Sequence, residues 1–379
     1  MKLALIGPVY PYRGGIAHHT TMLGHALSQR HELLVISFKR LYPLWLYPGN
    51  SDQDPSQASL SITANYILDS LAPWTWWRAF HHIRRFQPDL VIIPWWTTFL
   101  APMTAGLVAA LQHVGVRVSV LIHNVLPHDP RLWDTWLTRW ALGAGRMFIT
   151  QTESEKNRLL ALFPNVAVKV TPHPIYEMFT EQAIPQSIAR QHLNIPADVP
   201  IALFFGIVRP YKGLKYLLDA MAQIRDRGGH IHLVVAGEFW ESRAGYDQQI
   251  QDLCLSEHIH FFSHYIPNED VGLLFSAANV LVAPYVAVTQ SGVIKLALGF
   301  GLPVLTTRLG EMEELQAWVK TGQVRLVKPR DANALAEALM AGQSSGWMRD
   351  RLPQAAKTPP ASTWNEFVTT LEHLAQAHL

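Results

Sequence analysis

The stretch MKLALIGPVYPYRGG, residues 1–15, decides the fold, because it passes from an apolar run into a glycine turn. The run Lys2–Ile6 is typical of a buried β-strand, and a helical pattern begins near Ile16, directly after Gly14 and Gly15. Its apolar part is too short for a signal peptide and lacks a small-residue cleavage site. A strand that leads through a turn into a helix predicts the start of an α/β sheet.

The rest of the chain repeats this alternation in two series. Further strand-like runs lie at Leu33–Ser37, Leu90–Ile93, Val118–Ile122 and Met147–Thr150, and then at Ile201–Phe205, His232–Ala236, His258–Phe262, Val280–Ala283 and Val304–Thr306. Helical patterns such as Tyr216–Ile224 and Tyr246–Leu255 separate them. Alternating strands and helices favour parallel sheets with crossover helices. We therefore predict an α/β protein with two doubly wound parallel sheets.

Proline-rich segments divide the chain. The segment Ile184–Pro200 is polar and contains several prolines, as linkers do, and Pro353–Ser362 interrupts the chain before a last helix at Trp364–His378. We predict an N-terminal domain at 1–180, a C-terminal domain at 181–355, and a terminal segment at 356–379 whose helix packs back on the N-terminal domain.

Composition excludes several classes of protein. The 379 residues are 49% hydrophobic and 16% charged, which is enough apolar material for folded cores. A net charge of +2 gives no reason to expect nucleic acid as a partner. The single cysteine, Cys254, excludes an intrachain disulfide and a cysteine zinc site, and it fits a reducing compartment. Because Pro94 and Pro102 interrupt the apolar stretch Leu90–Leu111, a strand, a loop and a buried helix explain it better than a membrane span.

Cationic and glycine-containing loops follow the predicted strands. Gly206, Arg209 and Lys212 lie between a strand and a helix, where cations and helix N–H groups suit a phosphate; a solvated basic loop is the alternative. The pair Gly14-Gly15 suits a diphosphate in the same way, or is a tight turn without a ligand. The dinucleotide pattern Gly-x-Gly-x-x-Gly is absent there.

Polar residues follow other strands at the edge where parallel sheets bind ligands. His123 and His128 follow the strand Val118–Ile122, where an imidazole can hydrogen-bond a hydroxyl or simply be satisfied within a loop. In the second half, the loops at this edge contain Gly237, Glu238, Gln290, Ser291, Gly292, Val293 and Glu314. The loop at 289–293 opens a helix, whose backbone N–H groups could bind a phosphate.

These strings resemble family 4 of the glycosyltransferases, also called group 1. The resemblance is carried by GPVYPYRGGIAHHT, IHNVLPHD, TPHPIY, FFGIVRPYKG, VVAGE, VLVAPYVAVTQSG, FGLPV and the end of the loop at Gly310–Glu314, in the family's order. It implies two Rossmann-like domains facing a cleft, the GT-B fold, with the donor on the C-terminal domain and the acceptor on the N-terminal domain.

The resemblance also implies roles for single residues. Lys212 corresponds to the lysine that contacts the diphosphate, and His123 to the histidine that contacts the donor sugar. Arg209 lies two places after the position of the family's arginine, which is Ile207 here. Gly14 and Gly15 lie over the phosphates, and Arg13 and His128 are candidates for the acceptor side.

One departure concerns the two glutamates that the family usually carries eight positions apart. They fall on Val288 and Leu296 in this chain, so the QSG string Gln290–Gly292 identifies a variant branch. Glu314 keeps its family position. Which residues replace the missing glutamates stays open, and so does the identity of the donor's sugar and base.

The resemblance implies a retaining, metal-independent transferase that moves a sugar from a nucleoside-diphosphate sugar to an acceptor hydroxyl, in cell-surface polysaccharide or glycolipid synthesis. No cofactor is expected, and no DxD triplet stands at the end of a predicted strand to suggest a metal. The alternatives are a non-catalytic sugar-nucleotide-binding relative or partner subunit, motivated by the missing glutamates, and a sugar-nucleotide epimerase on the same fold.

An aromatic segment in the N-terminal half bears on where in the cell the protein works. Leu71–Phe86 reads as a helix with tryptophans near its start and cations further along, and Tyr42–Tyr47 adds a second aromatic cluster. Such a segment suits a membrane interface, or it packs in the N-terminal core or lines the acceptor cleft. We expect a cytoplasmic protein with possible peripheral contact with the inner face of the membrane, where a glycan or lipid-linked acceptor would arrive.

Overall fold

The computed structural model describes residues 1–43, 45, 47, 49, 51–57, 61–127, 131–174, 176–288, 291–309, 315–348 and 363–376. The chain divides into two compact units. The first contains Met1–Asp54, Ser59–Pro174 and Ser362–Leu379, and the second contains Pro55–Ala58 and Ile175–Ala361.

A seven-stranded parallel sheet forms the centre of the first unit. Its strands are β1 (Lys2–Ile6), β2 (Glu32–Arg40), β3 (Asn65–Asp69), β4 (Leu90–Trp95), β5 (Val118–Ile122), β6 (Met147–Thr150) and β7 (Ala167–Val170). They are arranged in the order β3-β2-β1-β4-β5-β6-β7. Every residue of β4 and β5 is buried, as a parallel sheet covered on both faces requires.

Five helices connect these strands. They are α1 (Gly15–Ser28), α2 (Pro73–Phe86), α3 (Ala101–His113), α4 (Asp134–Leu142) and α5 (Glu153–Leu162). Local sequence sets some of their ends: Thr152 caps α5, because its hydroxyl accepts a hydrogen bond from the Glu155 backbone N–H at 3.1 Å. The stretch Leu90–Leu111 forms β4, a 3-10 turn and most of α3, so the predicted strand, loop and helix are confirmed. In the described ranges, every helix is too short or too polar to cross a bilayer.

The second unit contains a six-stranded parallel sheet in the order β10-β9-β8-β11-β12-β13. Its elements are α6 (Glu177–Thr180), α7 (Gln186–His192), β8 (Ile201–Phe205), α8 (Leu214–Asp226), β9 (His232–Ala236), α9 (Ala244–Asp252), β10 (Ile259–Phe262), α10 (Asn268–Ala277), β11 (Val280–Ala283), α11 (Gly292–Gly299), β12 (Val304–Thr307), α12 (Gln316–Lys320), β13 (Val324–Val327) and α13 (Ala332–Ser344).

The last helix, α14 (Trp364–Gln376), belongs to the first unit and packs on α1. The Glu372 carboxylate lies 2.8 Å from Arg30 Nη2 and 2.8 Å from His31 Nε2, just past the end of α1. At the other end of α14, the Trp364 ring contacts the His19 ring, with centroids 5.1 Å apart. These contacts hold the terminal helix against the first helix of the chain.

The predicted pair of doubly wound parallel sheets is confirmed. Three strands were not predicted, namely β3, β7 and β13, and each lies at the edge of its sheet. Edge strands bury little of their surface, so their sequences NYILD, AVKV and VRLV mix polar with apolar residues. The continuous apolar run that identifies a central parallel strand is therefore missing from them.

Candidate functional site

A buried lysine occupies the turn after β8. Lys212 ends a 3-10 turn, is 8% exposed, and its Nζ donates to the Phe205 carbonyl oxygen at 3.3 Å. A Cβ at Gly206 would lie 2.7 Å from that Nζ, so the glycine leaves the space that the ammonium uses. Burial, and then the charge of Arg209, lower the pKa of Lys212 to about 8. The turn thus keeps the Lys212 ammonium buried at the edge of the sheet rather than exposed to solvent.

The loop after β11 packs directly on this turn. The Val286 N–H donates to the Tyr211 carbonyl at 2.7 Å. A Cβ at Gly213, where φ is 76°, would lie 2.0 Å from the Pro284 carbonyl oxygen. Gly213 is also the N-cap of α8, so the unpaired N–H groups of this helix begin directly after Lys212. The glycine therefore permits two loops and a helix N-terminus to meet at one edge of the sheet.

The loop after β9 contacts Arg209, which precedes the lysine turn after β8. The Arg209 guanidinium lies 5.0 Å from the centroid of the Trp240 ring, whose Nε1 donates to Glu238 Oε2 at 2.8 Å. The Val208 N–H donates to the Glu238 carbonyl at 2.8 Å, which joins the two loops through their backbones. A Cβ at Gly237 would lie 2.2 Å from the Gly206 carbonyl oxygen. The predicted residues Gly206, Arg209, Gly237 and Glu238 are thus brought together.

The QSG loop reaches the same edge through the start of α11. Ser291 caps this helix, because its Oγ accepts from the Ile294 N–H at 3.2 Å, and the Tyr285 hydroxyl lies 2.8 Å from the same Oγ. Val293 faces the glycine of the lysine turn, since a Cβ at Gly206 would lie 3.5 Å from Val293 Cγ2. Ser291 and Val293 are therefore brought to the lysine turn.

The surroundings of Gly292 and the two positions where glutamates were expected are apolar. A Cβ at Gly292 would lie 3.4 Å from the Tyr176 ring, so a tyrosine packs against that glycine. Val288 and Leu296, at the positions where the resemblance expects glutamates, are both buried. Two predicted residues of this rim, Gln290 and Glu314, lie outside the described residues.

The glycine turn of the first unit precedes α1. Gly14 adopts φ 99° and is the N-cap of the helix, and a Cβ at either Gly14 or Gly15 would meet nothing within 4 Å. Arg13 is directed to an aromatic ring, because its Nε donates to the Tyr47 hydroxyl at 3.0 Å. The turn therefore exposes backbone N–H groups beside open space, as an anion site requires.

Three histidine rings gather behind this turn. His123 follows β5, and its ring centroid lies 4.8 Å from that of His19, which in turn lies 4.9 Å from that of His173. The Gln151 amide is 2.9 Å from His19 Nε2. Burial, and then His173, lower the pKa of His123 to about 3, and burial with both neighbouring histidines lowers the pKa of His19 well below its usual value. His123 is therefore neutral near pH 7, a state in which one ring nitrogen can donate and the other can accept a hydrogen bond. His128 lies outside the described residues.

Sequence reasoning missed several residues at these edges. His18 Nε2 lies 3.2 Å from Asp54 Oδ2, and the Asp54 side chain is fully buried. His19 and His173 join the histidine cluster, and Lys295 is a buried cation on α11. For His18 and His19, the available signal was that two adjacent histidines follow the glycine turn. Over the described ranges, no three His, Cys, Asp or Glu side chains are close enough to hold a metal ion.

Comparison with known families gives matches to both units. A model described as glycosyl transferases group 1 matches residues 199–342, and a model described as glycosyltransferase family 4 matches residues 13–176. A GDP-mannose:glycolipid 4-beta-D-mannosyltransferase of Xanthomonas campestris pv. campestris is 27% identical over 203 residues, which are 53% of this chain and 53% of that protein. The aligned part of the chain thus spans about half the length of this relative.

Solved structures share the fold along nearly the whole chain. Sucrose-phosphate synthase from Thermosynechococcus elongatus has a TM-score of 0.72 at 21% identity, covering 98% of each chain. The Anabaena protein HepE in complex with UDP has a TM-score of 0.72 at 16% identity, covering 99% of this chain and 100% of that one. The predicted two-domain GT-B architecture is therefore confirmed, whereas the chemical role of each site residue stays a prediction.

Proposed function

Because the chain belongs to the glycosyltransferases of group 1 and family 4, we propose that it transfers a sugar from a nucleoside-diphosphate sugar to an acceptor hydroxyl. The observation that carries this proposal is the buried ammonium of Lys212. Among the described residues it forms no ion pair, and its one hydrogen bond goes to a backbone carbonyl. A buried cation without an anion is costly, and a bound diphosphate would supply the missing charge.

The second unit would bind the donor. The diphosphate would lie against Lys212, the N-terminus of α8 and the N-terminus of α11, with Arg209 at the exposed side. As the bond between the anomeric carbon and the phosphate oxygen breaks, negative charge develops on the leaving diphosphate, and these cations stabilise it. Side-chain cations would then take the place of a metal ion, so we propose a metal-independent transfer.

The first unit would bind the acceptor and the reacting sugar. His123 would remain neutral and hydrogen-bond a sugar hydroxyl, and the open turn at Gly14 and Gly15 would offer N–H groups to phosphate. Arg13 and His128 remain candidates on the acceptor side. The name of the Xanthomonas relative specifies a glycolipid acceptor, which supports a role in polysaccharide or glycolipid synthesis. We place this chemistry in the cytoplasm, with peripheral contact at the inner face of the membrane.

The family resemblance supports retention of anomeric configuration, with an oxygen of the leaving phosphate taking the acceptor proton. The pair His18 and Asp54 favours a second candidate, transfer with inversion. There, His18 would act as the base that takes the acceptor proton, and the buried Asp54 carboxylate, 3.2 Å from its Nε2, would orient the ring. The printed name of the Xanthomonas relative, which specifies a β-linked mannosyl product, makes the product anomer the measurement that separates the two candidates.

A thermal-shift screen with UDP, GDP, UDP-glucose and GDP-mannose tests donor binding, since a ligand at a hundredfold its Kd stabilises the native state by about 2.7 kcal/mol. A hit is then incubated with a range of lipid-linked and free sugar acceptors, and the product anomer is assigned by NMR. Donor binding without transfer or hydrolysis would favour the non-catalytic relative. Loss of deuterium from C2 of the donor sugar would favour an epimerase. Absence of any nucleotide-dependent shift would contradict the proposed function.

A further inference from the structure

Three helices form one outer layer of the first unit. Helices α2, α3 and α4 pack side by side on the same face of the seven-stranded sheet, where Phe80, Leu107 and Leu142 enter one apolar core. The Trp76 ring of α2 closes the gap to α3, since a Cβ at Gly106 would lie 3.8 Å from it. The opposite side of this layer is its outer surface.

That outer surface exposes tryptophan. Trp74 is 66% exposed and Trp136 is 65% exposed, and Trp77, Trp133 and Trp140 are exposed as well. The residues at 74 and 77 share one side of α2, and those at 133, 136 and 140 follow the helical period along α4. The rings of Trp136 and Trp140 stack, with centroids 6.1 Å apart. Exposed aromatics gathered in this way mark an interaction surface.

Helix α3, which lies between α2 and α4, places no charged side chain between the two groups of tryptophans. The exposed residues of α3 include Pro102, Gly106 and Ala109, which are small and uncharged. A flat surface could therefore contact α2, α3 and α4 together. We call the outer side of these three helices the tryptophan face.

The charges of the tryptophan face have one sign. The three helices contain no glutamate and a single aspartate, Asp134. That aspartate is buried and bound, because Thr98 Oγ1 donates to it at 2.5 Å and the Arg131 N–H donates to it at 2.7 Å. The exposed arginines on α2 and α4 are Arg78, Arg84, Arg85 and Arg139. The face thus combines exposed aromatics with cations and presents no carboxylate from its own helices.

A cavity opens at the edge of the tryptophan face. It has a volume of about 590 Å³ and is lined by Lys39, Arg40, Tyr66, Asp69, Trp74 and Arg78 among others. Arg40 binds Asp69, with Nη2 and Oδ2 2.7 Å apart, so the one carboxylate of this lining is neutralised. Lys39 and Arg78 form no ion pair within the described part of the chain. The cavity therefore has the charge and size for a phosphate-bearing group, and its lining shares Trp74 and Arg78 with the face.

We infer that the tryptophan face docks on a bilayer that contains anionic phospholipid, with a lipid headgroup phosphate in the cavity between Lys39 and Arg78. Tryptophan rings lie at headgroup level in membrane interfaces, and arginines beside them meet anionic lipid. A second copy of the chain does not fit this face, because a symmetric dimer would bring like charges together. The inference deepens the peripheral membrane contact proposed above and does not depend on the transfer reaction.

Co-sedimentation with vesicles tests this inference. The full chain is mixed with vesicles of phosphatidylcholine alone or with phosphatidylglycerol, at low and high salt. Three variants are compared with the wild type: Arg78→Gln with Arg84→Gln and Arg85→Gln; Trp136→Ala with Trp140→Ala; and a charge-matched control. The control removes three exposed cations that belong to other elements, namely β7, the end of α8 and α12: Lys169→Gln, Arg227→Gln and Lys320→Gln. Circular dichroism confirms that each variant is folded.

We expect the wild type and the control to bind anionic vesicles at low salt and to be released as salt rises. The arginine variant should partition roughly a hundredfold less, since each cation near an anionic surface contributes about fivefold. The tryptophan variant should lose binding at every salt concentration. Equal loss in the control would mean that only net charge matters, and no binding of folded wild type to anionic vesicles would overturn the inference.

Two further results would also overturn it. Concentration-dependent dimerisation that the tryptophan variant abolishes would assign the face to a second copy. Binding to an acidic protein but not to vesicles would assign it to a protein partner. Nucleotide-dependent thermal shifts, measured without vesicles, report separately on the proposed function, so a failure of one proposal is distinguished from a failure of the other.

Discussion

Replacing Lys212 with methionine should raise stability and lower activity at the same time. Methionine keeps an unbranched side chain of similar length but has no charge. Burial lowers the pKa of Lys212 from 10.5 to about 8, which means that the folded protein holds the protonated amine at a cost of about 3 kcal/mol near neutral pH. Because Lys212→Met removes this cost, we expect the free energy of unfolding to rise by about 1–3 kcal/mol.

The same change removes the cation proposed to stabilise the leaving diphosphate. Loss of one such preorganised group typically costs about 3 kcal/mol in the transition state, so kcat/KM should fall by roughly a hundredfold or more. A matched control is available three residues away: Lys215 is exposed, so Lys215→Met should alter neither quantity measurably. The opposite signs of the two effects separate a functional cation from a structural one.

Urea unfolding measured from pH 7 to 11 checks the stability effect. In the wild type, the unfolded state binds more protons than the native state between the two pKa values, so stability rises from about pH 8 to 10.5 and is lost as pH falls through 8. Lys212→Met should lack this rise. A variant that is less stable than the wild type would refute the burial cost, and one that keeps wild-type turnover at saturating donor would refute the phosphate role.

Four other outcomes are expected. Gly213→Ala should destabilise the protein far more than Gly228→Ala. Both glycines have positive φ, but a Cβ at 213 would lie 2.0 Å from a backbone carbonyl oxygen, whereas a Cβ at 228 would meet nothing within 4 Å. Equal melting temperatures of the two variants would contradict this. Ser291→Ala and Asp331→Ala each remove a helix cap and should each cost about 1 kcal/mol in unfolding, but only Ser291→Ala should weaken nucleotide affinity by calorimetry. The folded pKa of His123 is about 3, so the stability that its neutral form contributes is present above pH 6.5 and falls by about 2 kcal/mol at pH 5. In His123→Gln, the free energy of unfolding should change less over this pH range. Transfer should persist in excess chelator, and activity that requires added magnesium or manganese would count against a site based on side-chain cations.

The fold could be predicted from sequence wherever burial leaves a simple pattern. Central strands such as β4 and β8 are covered on both faces, so they appear as unbroken apolar runs. Edge strands such as β3 and β7 are covered less, and their mixed sequences resemble loops. The two sheets could therefore be predicted, but their edge strands could not.

The candidate site could be predicted only in part. Lys212 and the glycines were found because each follows a strand, and parallel sheets place those ends at one edge. The burial of the lysine could not be predicted, since it depends on the space at Gly206 and on the loop that contains Pro284, which lies 72 positions further along the chain. The pair His18 and Asp54 was missed for the same reason, because nothing in the local sequence of either residue indicates the other.

The edge of the second unit that is proposed to bind the donor combines the buried Lys212 with apolar residues at the positions of the usual acids. Val288 and Leu296 are buried where carboxylates were expected, so neither position contributes a negative charge to the second unit. Among the described residues Lys212 forms no ion pair, so its charge is left for a bound anion to neutralise. The substitution of the glutamates and the burial of the lysine therefore act in the same direction. Both support the proposal that a diphosphate completes this edge, and under that proposal backbone N–H groups and hydroxyls such as that of Ser291 would recognise the sugar.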